Sequence, residues 1–248
     1  MRIKARILTF LFVISAISIG QDRYESLPHW IDDSPGYLWD GIQNTFSKPT
    51  PLIILGASAA GAYTVLQIDG RVLNYFKDQR LLPEKLSRFA DLYGGTILPI
   101  LLIPGIWLDS ELKQETAYER NRKLEYASLA VGMDVVLTYG IKALTNRERP
   151  NQRNRYSFPS GHTSVSFAVA GILHELYGTQ AGIISFTLAT IVAISRVQDQ
   201  EHFLSDVIFG AGLGLSVANG FTRVYKDSEN KAGMPGKQSA HISFTVYF

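Results

Sequence analysis

Six apolar segments, each long enough for a helix, limit what this chain can fold into. They are longer than typical strands, and charged connections separate most of them. Gly, Ala and Ser are scattered through all of them, as close packing of helices requires. The pattern predicts an all-α fold, a six-helix bundle associated with a membrane. The segments are residues 52–68, 93–108, 126–144, 163–177, 181–197 and 203–221.

Composition narrows the classes of function. The 24 basic and 22 acidic residues leave a net charge of only +2, which excludes the strong basic excess of a nucleic-acid-binding domain. The chain has no cysteine, so disulfides, thiolate metal sites and cysteine nucleophiles are excluded. A length of 248 residues suits one domain rather than two. The sequence therefore predicts no nucleic-acid partner, and any phosphate recognition must be local.

The two ends of the chain differ from its apolar centre. Residues 1–20 combine a basic start, a short apolar run and small residues, which is the pattern of a signal peptide. An uncleaved anchor is the alternative for this segment. Residues 21–50 form a polar segment, residues 51–224 the helical domain, and residues 225–248 a tail whose last residues alternate like a strand. The leader predicts a location in a bacterial cell envelope, in the periplasm or in a membrane with a periplasm-facing site.

Three polar clusters lie at the ends of predicted helices. Each residue alone has an ordinary explanation, such as a helix cap, a partner of the helix dipole or a solvated loop arginine like Arg147. The charged connection 69–91 is interpreted as structural. The helix order nevertheless brings all three clusters to one face of the bundle. The clusters are Lys142 with Arg149, then Ser160, Gly161 and His162, and then Arg196, His202 and Asp206.

The combined residue types suit phosphoryl transfer. Two guanidiniums and an ammonium can hold phosphate oxygens, and a helix N-terminus adds amide donors. His202 and Asp206 are four residues apart, so we expect them on one face of a helix, with the carboxylate orienting the imidazole for attack. His162 can then protonate the leaving oxygen. This chemistry requires no metal and no other cofactor.

The spacing of these residues resembles the signature of the type 2 phosphatidic acid phosphatase and vanadium haloperoxidase superfamily, over about residues 126–221. The resemblance implies an all-helical fold, with His202 as nucleophile, Asp206 as its partner and His162 as general acid. It implies that phosphate is bound by Lys142, Arg149, Ser160, Gly161 and Arg196.

The sequence leaves several functions open. A phosphatase acting on lipid phosphates through a phosphohistidine is the first choice, because Gly- and Ala-dotted apolar helices suggest a membrane. A soluble periplasmic acid phosphatase acting on small phosphomonoesters is the main alternative, and a vanadium haloperoxidase is another. An envelope protein with an inactive copy of the site is the non-catalytic alternative. If the leader is cleaved and all six segments cross a membrane, the site would face the cytoplasm, which conflicts with a periplasmic site.

Overall fold

The computed structural model describes the backbone of residues 30–231 and the side chains of residues 34–228. The predicted leader and the predicted C-terminal strand lie outside these residues. Within them the chain forms helices and loops and no strand, so the predicted all-α fold is confirmed. A π-helical turn, Tyr93–Ile97, joins α4 to α5. The α-helices are α1 (Trp30–Ser47), α2 (Pro49–Leu66), α3 (Asp69–Asp78), α4 (Glu84–Leu92), α5 (Leu98–Leu112), α6 (Ala117–Thr145), α7 (Gly161–Gln198) and α8 (Leu204–Lys231).

Helix α7 folds back on itself at Gly178. This residue has φ +80° and ψ −170°, a conformation that glycine adopts without a steric penalty. The rings of Phe167 and Phe186 lie 6.2 Å apart, whereas a straight helix would separate them by about 28 Å. The two halves of α7 therefore run antiparallel, and they correspond to the fourth and fifth predicted segments.

Five helical stretches of the described chain are long and apolar enough to cross a membrane: α2, α4 with α5, α6, α7 and α8. Each half of α7 is itself close to the length that a bilayer requires. With α7 counted as two passes, the bundle has the six predicted apolar helices. Large apolar side chains on the same helices remain exposed, as lipid-facing positions would be; examples are Ile53, Val136, Ile183 and Ile184.

Glycines of α8 allow this helix to contact its neighbours backbone to backbone. A Cβ at Gly214 would lie 2.0 Å from the carbonyl oxygen of Ser164 in α7. A Cβ at Gly210 would lie 2.7 Å from the carbonyl oxygen of Ser160, and one at Gly212 would lie 2.1 Å from Cβ of Ser58 in α2. The start of α7 is therefore held directly against α8, which fixes the N-terminus of α7 at one end of the bundle.

Several helices lie outside or extend beyond the six predicted segments; α6, for example, begins at Ala117 rather than at residue 126. Helix α1 lies in the segment that the sequence predicts only as polar. Helix α8 continues to Lys231, past the predicted end at residue 221, because its last turns remain amphipathic and bury Val224 and Tyr225.

Candidate active site

The structure brings the three predicted clusters together at one end of the bundle. The ammonium of Lys142 donates a hydrogen bond to the carbonyl oxygen of Pro159, which joins the first cluster to the second. The backbone N–H of Ser160 donates to the carbonyl oxygen of Asp206 at 3.0 Å, which joins the second cluster to the third. A salt bridge between Arg149 and Glu201 joins the first cluster to the third. Every predicted site residue belongs to or directly adjoins this group.

Lys142 is buried at the end of α6 and anchors the loop that follows. Its ammonium also donates to the carbonyl oxygens of Tyr156 at 2.7 Å and Ser157 at 3.3 Å. A Cβ at Gly161 would lie 3.8 Å from Cε of Lys142, so the lysine stem passes beside the N-terminus of α7. The positive charge is thus held next to the first amides of α7.

The two predicted arginines are each paired with a carboxylate. Arg149 binds Glu201, which also accepts a hydrogen bond from Arg153 at 2.9 Å. Arg196 is buried and donates to Oδ1 of Asp91 at 2.5 Å. Both guanidiniums, which the sequence predicts to bind phosphate, therefore hold the anionic oxygen of a side chain.

The N-terminus of α7 supplies amide donors. Ser160 is fully buried at the N-cap position, and its hydroxyl makes a hydrogen bond of 3.0 Å with that of Thr163 without capping the helix. The first N–H groups of an α-helix have no intrahelical acceptors, and they carry a positive partial charge. The start of α7 can therefore bind an anion.

His202 lies in the loop before α8, two residues ahead of its first residue, rather than on the same helix as Asp206. Its Nδ1 nevertheless faces Oδ2 of Asp206 at 3.5 Å, within ion-pair range and longer than a good hydrogen bond. Burial lowers the pKa of His202 to about 3, with the charges of Lys142 and Arg149 acting in the same direction and Asp206 opposing them. The ring is therefore neutral at physiological pH, as a nucleophile must be.

Asp206 is fully buried, and Arg147 is its cationic partner. Arg147 donates to Oδ1 of Asp206 at 2.7 Å and to Oδ2 of Asp69 in α3 at 2.9 Å. The other oxygen of Asp206 accepts from the hydroxyl of Ser157 and from the N–H of Phe203 at 2.9 Å. The sequence prediction missed Arg147 by treating it as a solvated loop residue, although a buried carboxylate requires a counter-charge.

His162, the second residue of α7, contacts a residue that the sequence prediction also missed. Its Nε2 lies 3.2 Å from Oδ1 of Asp91, the oxygen that binds Arg196. Asp91 belongs to the charged connection 69–91, for which the sequence predicts only a structural role, and no local motif marks it. Only the folding of α4 against α7 brings it to the site.

These features define the class of protein: an all-α bundle whose described residues include five helical stretches long and apolar enough to cross a membrane, with cationic and histidine side chains clustered at one end. Residues 124–230 match the model of the PAP2 superfamily, which covers all the predicted site residues. This part of the chain is similar to the PAP2 superfamily, in agreement with the resemblance of its motifs.

Curated relatives share parts of the chain. Lipid A 1-phosphatase of Porphyromonas gingivalis is 38% identical over 74 residues, which are 29% of this chain and 17% of the relative. Lipid phosphate phosphatase 1 of Arabidopsis thaliana is 28% identical over 166 residues, half of each protein. The chain thus spans half or less of the length of these relatives.

A solved structure shares the fold. The crystal structure of the first transmembrane PAP2 type phosphatidylglycerolphosphate phosphatase from Bacillus subtilis matches with a TM-score of 0.57 at 21% identity. The match covers 78% of this chain and 97% of that structure. The two proteins therefore share a fold over nearly the whole of that structure.

Proposed function

We propose that this chain is a membrane phosphatase that removes phosphate from lipid phosphomonoesters through a covalent phosphohistidine on His202. One observation carries the proposal. A buried, neutral imidazole lies beside a carboxylate at the same end of the bundle as Lys142, Arg149 and Arg196.

Phosphate binding would use the cations and amides of this site. Arg149 and Arg196 present guanidinium donors that already hold carboxylate oxygens, and a phosphate dianion carries more charge to compete for them. The amides at the start of α7 add donors at a helix N-terminus. Lys142 adds a positive charge beside them. Such preorganised donors stabilise the charge that develops on the phosphoryl oxygens in the transition state.

The reaction proceeds in two displacements. In the first, Nε2 of His202 forms a bond to phosphorus as the ester P–O bond breaks, and protonated His162 gives its proton to the departing alkoxide. Asp206 stabilises the positive charge on the phosphorylated ring. In the second, water attacks phosphorus, neutral His162 takes a proton from the water, and the P–N bond breaks. Inorganic phosphate leaves, and both histidines return to their starting states.

The lipid substrate class is supported by the bundle and by the relatives. Apolar side chains cover the outer faces of the helices, so a lipid in the bilayer could bring its head group to the end of the bundle while its chains stay in the membrane. Relatives named as lipid phosphatases match 29% and 50% of this chain. We further propose that this end of the bundle faces the periplasm and that catalysis needs no divalent metal.

Phosphate release from purified protein tests the proposal. Lipid phosphates in mixed micelles and soluble phosphomonoesters should be compared, with a chelator and with vanadate, a mimic of the five-coordinate transition state. We expect lipid phosphates to be the better substrates, activity to survive the chelator, and vanadate to inhibit. Activity on soluble phosphomonoesters alone would favour the acid phosphatase alternative. Loss of activity in the chelator with recovery in magnesium would overturn the proposed chemistry.

The role of His162 has its own test. A general acid matters most for a poor leaving group, so His162→Ala should lower the rate of phosphohistidine formation from an alkyl phosphate on the order of a hundred-fold or more. On a nitrophenyl phosphate, whose phenolate departs with little protonation, the loss should be much smaller. An equal loss on both substrates would remove His162 as the acid.

A further inference from the structure

Asp91 lies between two residues of the proposed mechanism. Its Oδ1 is 3.2 Å from Nε2 of His162 and accepts a hydrogen bond of 2.5 Å from Arg196. His162 belongs to the outgoing half of α7 and Arg196 to its returning half, so a single carboxylate oxygen connects the two. Asp91 itself lies outside the superfamily match at residues 124–230.

The backbone holds Asp91 in this position. Helix α4 passes directly into the π-helical turn Tyr93–Ile97, whose two glycines pack against α7. A Cβ at Gly95 would lie 2.3 Å from Nε2 of His162, and a Cβ at Gly94 would lie 2.8 Å from Cγ1 of Val192. Because Gly94 and Gly95 have no Cβ atom, the turn approaches α7 more closely than it could with any other residues at these two positions. This close packing places the histidine ring and the carboxylate in a defined geometry.

We propose that Asp91 is a positioning residue for the general acid. Its carboxylate orients the ring of His162 and stabilises the protonated imidazole that donates to the leaving group. Asp91 also binds Arg196. It therefore holds His162 at a fixed position relative to a guanidinium that the proposed function assigns to phosphate binding. The inference rests on the proposed phosphatase function and adds to it a residue that acts through His162 rather than on the substrate.

The proposed role of Asp91 predicts which kinetic constants would change when its carboxylate is removed. A group that acts only through a general acid affects the step that needs the proton, so its removal lowers kcat/KM on substrates with basic leaving groups through the rate of phosphoryl transfer. It changes substrate affinity less. A carboxylate that merely competes with phosphate for Arg196 would do the opposite, since its removal would lower KM and leave kcat unchanged.

The test uses Asp91→Asn, which keeps the shape and removes the charge, with Glu84→Gln as the matched control. Glu84 lies on the same helix, is exposed, and pairs with Arg88 at the surface. We expect Asp91→Asn to lower kcat/KM, which reports the steps up to phosphohistidine formation, about ten-fold on an alkyl phosphate and by much less on a nitrophenyl phosphate. The double variant Asp91→Asn with His162→Ala should be no slower than His162→Ala alone. The control should retain the activity of the unmodified protein on both substrates.

A second variant tests the same contact without removing a charge. Gly95→Ala places a methyl group against the ring of His162, so we expect the same selective loss on the alkyl phosphate. An equal loss on both substrates in the Asp91 variant, or a lower KM with unchanged kcat, would overturn the inference while leaving the phosphatase function in place. An unmodified protein that releases no phosphate from any substrate would overturn the proposed function itself.

Discussion

The side chain of His202 illustrates how burial sets the chemistry of a single residue. Because burial lowers its pKa to about 3, the ring is uncharged at pH 7 and stays uncharged at pH values well below 6.5, the ordinary pKa of histidine. In the proposed mechanism, no proton has to be removed from the ring before it attacks phosphorus. The acid limb of the pH profile should therefore lie well below pH 6.5, and the alkaline limb should report loss of the proton from His162.

The same pKa shift makes stability depend on pH. The unfolded chain protonates His202 below about pH 6.5, whereas the folded chain does not until about pH 3. The contribution of the neutral ring is thus fully present above pH 6.5 and is lost as pH falls, by about 1.4 kcal/mol per pH unit at most. We expect the thermal midpoint of the protein to fall from pH 6.5 to pH 4, and to fall less steeply in His202→Asn. Equal slopes in both proteins would contradict this assignment.

Arg147 is the second residue whose environment predicts a measurable effect. It is the cation that pairs with buried Asp206 and Asp69, and removing one partner of a buried pair is strongly destabilising. Arg147→Met should destabilise the protein by about 3 kcal/mol and lower kcat, because Asp206 loses the group that holds it beside His202.

Arg155→Met is the matched control for Arg147→Met. Arg155 lies in the same loop but is exposed, and its guanidinium donates at 3.2 Å to the carbonyl oxygen of Asn146. Its replacement should change stability by less than about 0.5 kcal/mol. Thermal unfolding in detergent measures both variants. Similar losses in the two would mean that Arg147 is not the essential partner of Asp206.

Among the helices, the contact between α7 and α8 determines the position of the site. A methyl group at Gly214 would meet backbone atoms of α7, which cannot move without shifting the N-terminus of that helix. Gly214→Ala should therefore destabilise the protein by about 1–3 kcal/mol and lower activity. Gly140→Ala, on the α6 surface with nothing within 4 Å, should be neutral or slightly stabilising. The thermal midpoints of the two variants check this, and a neutral Gly214→Ala would contradict the close packing.

Features that depend on local patterns in the chain could be predicted from the sequence, whereas contacts between distant helices could not. Six apolar segments and three spaced motifs are local patterns, so the bundle and most residues of the candidate site could be predicted from the sequence. The partners Arg147–Asp69 and Arg196–Asp91 are 78 and 105 residues apart, and no local pattern marks them. The sequence predicts the two halves of α7 as separate segments, which agrees with the fold-back at Gly178. It does not predict the π-helical turn that carries Gly94 and Gly95.

For the whole molecule, the direction of the helices shows which connections lie at the site end of the bundle and which lie at the opposite end. Helix α2 begins at residue 49 and ends next to Asp69, which binds Arg147 at the site. A Cβ at Gly220, near the far end of α8, would lie 2.1 Å from the hydroxyl of Thr45. The loop between α1 and α2 therefore lies at the end opposite the site. A periplasm-facing site requires this loop to be on the cytoplasmic side.

The absence of cysteine makes this topology directly measurable. Arg155→Cys places a single thiol at the site end, and Lys113→Cys places one in the exposed turn between α5 and α6, at the other end. In intact spheroplasts we expect a membrane-impermeant maleimide to label Arg155→Cys and to label Lys113→Cys only after permeabilisation. The reverse pattern would put the site in the cytoplasm, as cleavage of the leader before six crossings would require.

The central claim is a covalent bond between phosphorus and His202, and trapping that bond tests it most directly. Purified protein is mixed with a lipid substrate carrying labelled phosphate and quenched within milliseconds in alkali, because the P–N bond of phosphohistidine is acid-labile. We predict one labelled peptide, modified at His202, which forms and decays at rates that match turnover and is absent from His202→Ala. Turnover at the normal rate by His202→Ala, with no labelled peptide in either protein, would contradict the account.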